Sequence, residues 1–172
     1  MRRTRIGLML VLLLTSLTVC AQTRTFTKDD LEYIVELPSP AWRAVSRLDV
    51  HDHVDFIYGD DSAKGSLRLR KKLVDADSTP ADLFRHDEKW ELQSLPGCVV
   101  CSECTGEKLE GYLKGTAFSY EYTSGGRPMA GSIYYLWVDN RTFYALNFTV
   151  ARDKLSRLHS EMDSIARSFR LK

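Results

Sequence analysis

The sequence has little that would commit it to nucleic acid, to a membrane span or to a known catalytic motif. Its 24 Lys and Arg nearly balance 23 Asp and Glu, so it lacks the strongly basic character that nucleic-acid binding requires. Its longest apolar stretch, residues 7–19, covers about thirteen residues, whereas a membrane-spanning helix needs about 20. Phosphate-binding loops, dinucleotide fingerprints, G-x-S-x-G elbows and S-x-x-K pairs are absent. No catalytic residue is predicted.

Residues 1–21 have the pattern of a secretion signal. An arginine-rich start, the apolar stretch 7–19 and a small-residue cleavage pattern ending at Ala21 predict a peptide that is removed during general secretion. A lipoprotein signal with Cys20 as the acylated residue is the alternative. Val19 stands where that signal has a small residue, so simple cleavage is favoured over a lipid anchor.

The mature chain, residues 22–172, is predicted to be one exported domain, either periplasmic or extracellular. Its length is ordinary for a single hydrophobic core. Removal of residues 1–21 takes three arginines with it, so 21 basic residues face 23 acidic ones and the net charge becomes −2. No internal repeat or long linker divides this part of the sequence.

Alternating apolar residues predict strands in the first half of the domain. The segment LEYIVELP (31–38) places its apolar residues on one face and is ended by two prolines. HVDFIYGDD (53–61) and SLRLRKKLV (66–74) predict a hairpin joined by a polar turn. The leucines of the second segment are expected to face the core, and its arginines are expected to face solvent.

Helical signals follow in residues 77–97. Thr79 is placed as an N-cap, Pro80 occupies the first helical position, and Asp82 completes a capping-box spacing. The charged run 86–88 is predicted to lie on a solvent-exposed face of this helix, where a paired base and acid are not expected. Pro96 and Gly97 are expected to end the segment.

The second half predicts the centre of a sheet and a closing helix. TGEK (105–108) is predicted as a turn. Three strands are predicted after it: GYLKGTAFSYEY (111–122), SIYYLWV (132–138) and TFYALNFTV (142–150). The last two are apolar on both faces, which is typical of strands covered on both sides. Residues 151–169 predict a long amphipathic C-terminal helix. The pattern therefore predicts an α+β domain with a mainly antiparallel central sheet between helices.

Five segments, taken in order, resemble a known group of proteins. They are YIVELPSPAW (33–42), TPADLF (79–84), GTAFSYEY (115–122), YYLWVDNRTFYALNF (134–148) and IARSF (165–169). Together they resemble the PsbP-like superfamily, which includes exported bacterial domains of the DcrB and LpqN type. The resemblance implies an α/β/α sandwich and a non-enzymatic binding or accessory role. The partner would then be another protein or a small ligand, without a cofactor.

Three cysteines in GCVVCSEC (97–104) form one candidate metal or redox cluster: Cys98, Cys101 and Cys104. A closed zinc site needs a fourth ligand, which a histidine would have to supply. In a strand, Cys98 and Cys104 would stand roughly 20 Å apart at about 3.3 Å per residue, too far for a disulfide without a bend. Small strand residues are the favoured interpretation, with a disulfide and zinc as alternatives.

His51, His53 and Asp55 form the second candidate metal cluster. At strand spacing the three side chains share one face and could supply three ligands. A polar strand edge is the competing and favoured interpretation. The sequence as a whole thus predicts an exported, non-catalytic binding or accessory protein. A metal-binding or thiol-redox protein that uses either cluster is the alternative.

Overall fold

Eleven strands and two α-helices form within residues 23–46, 54–60, 64–100 and 106–172, the part of the chain that the computed structural model describes. The strands are β1 (Arg24–Phe26), β2 (Tyr33–Leu37), β3 (Trp42–Ser46), β4 (Val54–Tyr58), β5 (Gly65–Leu73), β6 (Val99–Val100), β7 (Glu107–Glu110), β8 (Lys114–Ser124), β9 (Arg127–Asp139), β10 (Thr142–Ala151) and β11 (Arg170–Leu171). The helices are α1 (Pro80–Trp90) and α2 (Leu155–Ser168). Single 3-10 turns at Leu92–Ser94 and Arg152–Lys154 follow α1 and precede α2.

Two antiparallel sheets organise the domain. The large sheet has the order β3-β4-β5-β10-β9-β8-β6, and β7 pairs with the other end of β8. A small sheet of order β1-β2-β11 joins the first and last strands of the described chain. β10 lies between β5 and β9, so the strand predicted to be central is central. The predicted α+β class with a mainly antiparallel sheet is confirmed.

The two faces of the large sheet carry separate apolar cores. Tyr134 and Leu136 of β9 point to the side covered by α2 and the small sheet, while Ile133 and Tyr135 point to the side of α1. The amphipathic stripe of α2 is buried as predicted, with Met162 among its fully enclosed residues. Because neighbouring residues of β9 serve opposite cores, this strand has to be apolar on both faces.

The capping box at the start of α1 forms as predicted. The Thr79 hydroxyl accepts a hydrogen bond from the Asp82 backbone N–H at 3.2 Å, and the Asp82 carboxylate accepts one from the Thr79 N–H at 3.0 Å. These two bonds satisfy donors that every helix start leaves without a partner. Hydrogen bonding from Thr79 also lowers the pKa of Asp82.

The prediction of a turn at TGEK (105–108) is wrong for its second half. Glu107 and Lys108 begin β7, and the turn lies at residues 111–113 instead. That turn docks on the end of α2, where the Tyr112 N–H donates to the Arg167 carbonyl at 3.1 Å. A four-residue strand with one buried side chain, Leu109, has no apolar period that a sequence could display.

The prediction of a solvent-exposed face at residues 86–88 is wrong for Asp87. This side chain lies beneath α1 and its residue is only 3 % exposed. Its carboxylate accepts a 2.6 Å hydrogen bond from the Tyr135 hydroxyl and pairs with the Lys72 ammonium. A charge can be buried there because two partners arrive from strands of the sheet, which the helix sequence alone does not reveal.

The predicted signal peptide, including Cys20, lies outside the described residues. Within the described ranges, no helix is long and apolar enough to cross a membrane.

Candidate functional site

A groove of about 840 Å³ crosses the α1 side of the large sheet. Its side wall is the segment that follows α1, where Leu92 and Leu95 present apolar side chains. Its floor is the part of the same sheet face that α1 itself does not cover. A groove of this size lies within the range of about 300–1,000 Å³ that is usual for ligand sites.

Six neighbouring strands contribute to the floor. One residue represents each of β3, β4, β5, β10, β9 and β8 in that order: Val45, Asp55, Ser66, Thr149, Met129 and Tyr122. The groove therefore runs across the strands rather than along them. With about 4.8 Å between adjacent strands, five intervals give a length of about 24 Å.

Most charged side chains that line the groove have an ion-pair partner, either in the lining or beside it. Asp55 lies 3.4 Å from the Arg68 Nε, its register neighbour on β5. Glu91, at the end of α1, accepts from Arg70 through both carboxylate oxygens, each at 3.1 Å. The arginines predicted to face solvent thus do lie on the face opposite the leucines, but they meet carboxylates there. This pairing leaves the middle of the groove nearly neutral.

At the end of the groove nearest β8, the ring of Tyr120 packs directly against Gly131 of the neighbouring strand. Tyr120 of β8 pairs in register with Gly131 of β9, and its hydroxyl donates to the Asn147 Oδ1 of β10 at 2.9 Å. A Cβ at position 131 would stand 2.1 Å from the Tyr120 ring. Only glycine therefore lets this ring cross β9. Burial raises the pKa of Tyr120 to about 12, so its hydroxyl stays a hydrogen-bond donor at neutral pH.

Thr149 and Tyr122 continue the same surface. Tyr122 stacks on Tyr120 with 5.9 Å between ring centroids. Both tyrosine hydroxyls interact with the Thr149 side chain, and burial is the main cause that raises the pKa of Tyr122. The groove therefore combines apolar ring surface with hydroxyl and amide groups that are held in place.

Of the predicted metal-site residues, Asp55 and Cys98 lie in the described part of the chain. Asp55 lines the groove beside Arg68, as given above. Cys98 is half-buried against the α1-side core, and burial raises the pKa of its thiol. His51, His53, Cys101 and Cys104 lie outside the described residues.

The metal and thiol hypotheses therefore stay predictions. Within the described segments, no three His, Cys, Asp or Glu side chains are grouped so that they could hold a metal ion. Metal analysis of protein purified without chelator would test both clusters, since each predicts bound metal that a Cys101→Ser or His53→Ala variant loses.

Sequence reasoning missed the groove, although two signals were available. TFYALNFTV (142–150) carries polar residues at Asn147 and Thr149 within an otherwise apolar strand, and both prove to line the floor. The alternation of the arginines in 66–74 was a second signal. The acidic partners of those arginines depend on strand pairing, and the sequence of the segment 66–74 alone does not determine that pairing.

Comparison with known proteins finds similarity among solved structures. No model of a known protein family matches the chain, and no curated protein matches it. The crystal structure of LpqN, involved in cell envelope biogenesis of Mycobacterium tuberculosis, aligns with a TM-score of 0.59 at 17 % identity over 88 % of this chain and 91 % of LpqN. The solution structure of cyanobacterial PsbP (CyanoP) from Synechocystis sp. PCC 6803 aligns with a TM-score of 0.59 at 15 % identity, over 88 % and 94 % of the two chains.

A eukaryotic protein shares the same architecture. The Saccharomyces cerevisiae Ran-binding protein Mog1p aligns with a TM-score of 0.61 at 8 % identity, over 88 % of this chain and 96 % of Mog1p. At such low identities these likenesses concern the fold and carry no site residue from one protein to another.

Proposed function

We propose that this chain, which has the PsbP-like fold of LpqN and CyanoP, is an exported, non-catalytic binding protein whose ligand occupies the groove on the α1 side of the sheet. The resemblance in fold predicted from five sequence segments is thereby confirmed. The observation that carries the proposal is the groove itself, with a floor built from six strands.

The state of the ionisable groups in the groove supports binding rather than catalysis. A general base needs a free acceptor aimed at a substrate, and a nucleophile needs such a base beside it. Here the Asp55 and Glu91 carboxylates face arginines, and the Tyr120 hydroxyl is a donor engaged with Asn147. Fixed donors and apolar walls are what a recognition site requires.

The described roles of the structural neighbours agree with a binding or accessory role. Mog1p is described as a Ran-binding protein, and LpqN as involved in cell envelope biogenesis. Neither name supplies a ligand for this chain.

Export is the second part of the proposal, and it predicts a defined N-terminus. Protein expressed from its full coding sequence in a secreting bacterial host should begin at Gln22, because the cleavage pattern ends at Ala21. Intact-mass measurement of the secreted protein checks this. An N-terminal Cys20 carrying acyl chains would show the lipoprotein route instead, and an intact Met1 would contradict export.

Filling the groove should abolish binding without unfolding the domain. Ser66 lines the floor on β5 and is half-buried, so a Ser66→Trp indole would occupy the groove. We expect wild-type protein to bind members of a soluble fragment library of sugars, short peptides and acyl compounds, with NMR shift changes at groove amides. Those changes should be lost in the Ser66→Trp variant.

Ser164→Trp is the matched control, since Ser164 is exposed on α2, away from the groove. It should bind the same fragments as the wild type. Fragment binding that survives Ser66→Trp would contradict the proposed site. Steady turnover of a generic ester, phosphate or glycoside substrate, lost in a single groove variant, would contradict the non-catalytic role.

A further inference from the structure

We propose that the ligand of the groove is an extended peptide segment with an acidic group held by Arg127. The inference rests on the proposed binding function and names the class of ligand. It is carried by the length of the groove, by the polarity of its floor and by Arg127, a cation of the lining that forms no ion pair with any other described residue.

The dimensions of the groove suit an extended chain. Its length of about 24 Å corresponds to about seven residues at 3.3–3.6 Å per residue. Because the groove crosses the strands of the sheet, a peptide lying in it would meet a different strand roughly every one to two residues. A compact small molecule would reach only two or three of the six strands.

The floor favours a ligand with hydrogen-bonding groups along its length. Ser66, Asn147 and Thr149 present hydroxyl and amide groups from adjacent strands. Asn147 accepts from Tyr120 through its Oδ1, so its amide N–H groups are the donors that it can offer a ligand. A peptide backbone carries a donor and an acceptor at nearly every residue. An acyl chain would cover these groups without bonding to them, which is costly.

The walls favour side chains on the same ligand. Leu92 and Leu95 line one side of the groove, and Met129 lines it near the end where β8 and β9 are joined. Side chains of an extended peptide point alternately to opposite sides. One set could therefore pack on these apolar residues while the backbone meets the polar floor.

Arg127 supplies the charge preference. It begins β9 directly after the Gly125–Gly126 turn, is exposed, and lines the end of the groove beside Ser124. The other arginine of the lining, Arg68, pairs with Asp55, whereas Arg127 forms no ion pair with any residue of the described chain. A guanidinium group binds a carboxylate through two parallel hydrogen bonds. An acidic side chain or a terminal carboxylate of the peptide fits this position.

The test is selection from a random heptapeptide library on protein expressed from its full coding sequence. Selected peptides should carry a carboxylate at one end, either as an enriched Asp or Glu or as a free C-terminus. The affinity of a selected peptide, measured by fluorescence polarisation, should fall about tenfold or more in Arg127→Gln, because a charge-assisted hydrogen bond is lost. Arg127→Glu should instead select peptides with Lys or Arg at that end.

Arg141→Gln is the matched control, since Arg141 is also an exposed arginine at a hairpin turn but lies outside the groove. It should leave peptide affinity unchanged. Amidating the C-terminus of a selected peptide separates the two sources of the charge: a loss of affinity assigns the terminal carboxylate to Arg127, and an unchanged affinity assigns an acidic side chain.

Two outcomes would overturn the inference, and they differ from failure of the proposed function. If no peptide is selected, the peptide class of ligand is wrong, and if the affinity of selected peptides is unchanged by Arg127→Glu, the acidic group at Arg127 is wrong. Palmitate or an oligosaccharide that binds in a Ser66→Trp-sensitive manner would then keep the groove as the site of another ligand. If no probe of any class is sensitive to Ser66→Trp, the proposed function fails as well.

Discussion

Replacing Asp87 with alanine is expected to lower the free energy of unfolding by about 3–5 kcal/mol, the usual cost of removing one partner from a buried ion pair. The Lys72 ammonium would lose its buried counter-ion and keep only Glu91, 3.8 Å away, and the Tyr135 hydroxyl would lose its acceptor. Tyr135 is fully enclosed, and burial, with Asp87 beside it, raises its pKa, so it stays a donor in need of a partner. Urea denaturation followed by circular dichroism measures the change.

Two controls separate this network from a general effect of changing α1. Glu88→Ala alters the neighbouring, more exposed carboxylate and should cost less than about 1 kcal/mol. In a double-mutant cycle, Tyr135→Phe and Asp87→Ala should together cost less than the sum of the single changes, because they remove the same hydrogen bond. Additive costs would mean that the hydrogen bond contributes nothing to stability.

A valine at Gly131 is expected to cost about 3 kcal/mol, at the upper end of what overpacking usually costs, and to disable the groove. Its Cβ would stand 2.1 Å from the Tyr120 ring, so the ring has to leave its position above β9. The hydrogen bond from Tyr120 to Asn147 would be lost with it. Urea denaturation measures the stability, and NMR shifts of the Asn147 side-chain amide report the lost bond.

A second background tests whether the cost of Gly131→Val comes from its clash with the Tyr120 ring. In a Tyr120→Ala background the clash disappears, so Gly131→Val should cost far less than it does in the wild type. An equal cost in both backgrounds would show that Gly131 is needed for a reason other than the tyrosine ring. Tyr120→Phe keeps the ring and removes only the hydroxyl, and it should therefore reproduce the loss of the Asn147 bond without the overpacking.

Local patterns in the sequence determined the main elements of this protein. The apolar stripe of α2, the capping box at Thr79 and the two-sided apolar strand β9 are each written in residues close together along the chain. Helix capping and the periodicity of apolar side chains depend only on residues that are close together in sequence, so they can be predicted without knowing the distant contacts of the fold. They were sufficient for the α+β class, for the antiparallel sheet with a helix on each side, and for the PsbP-like resemblance.

The short strands β3 and β7 could not be predicted from such local patterns. β3 follows two prolines, and β7 has only Leu109 buried, so neither shows an apolar period. Each forms because a neighbouring strand supplies the backbone partners: β4, of equal length, for β3 and the longer β8 for β7. The pairing that holds such a short strand is a property of the assembled sheet, because the apolar pattern of the strand itself does not show it.

The candidate site shows the same division. The sequence alone determined which residue types stand on each face of a strand, including the alternating arginines of β5 and the polar Asn147 in β10. Only the tertiary structure decided that Asp55 lies opposite Arg68 and that Gly131 lies beneath Tyr120. The physical reason is that strand register joins residues distant in sequence, and a shift of one residue would turn every side chain to the other face.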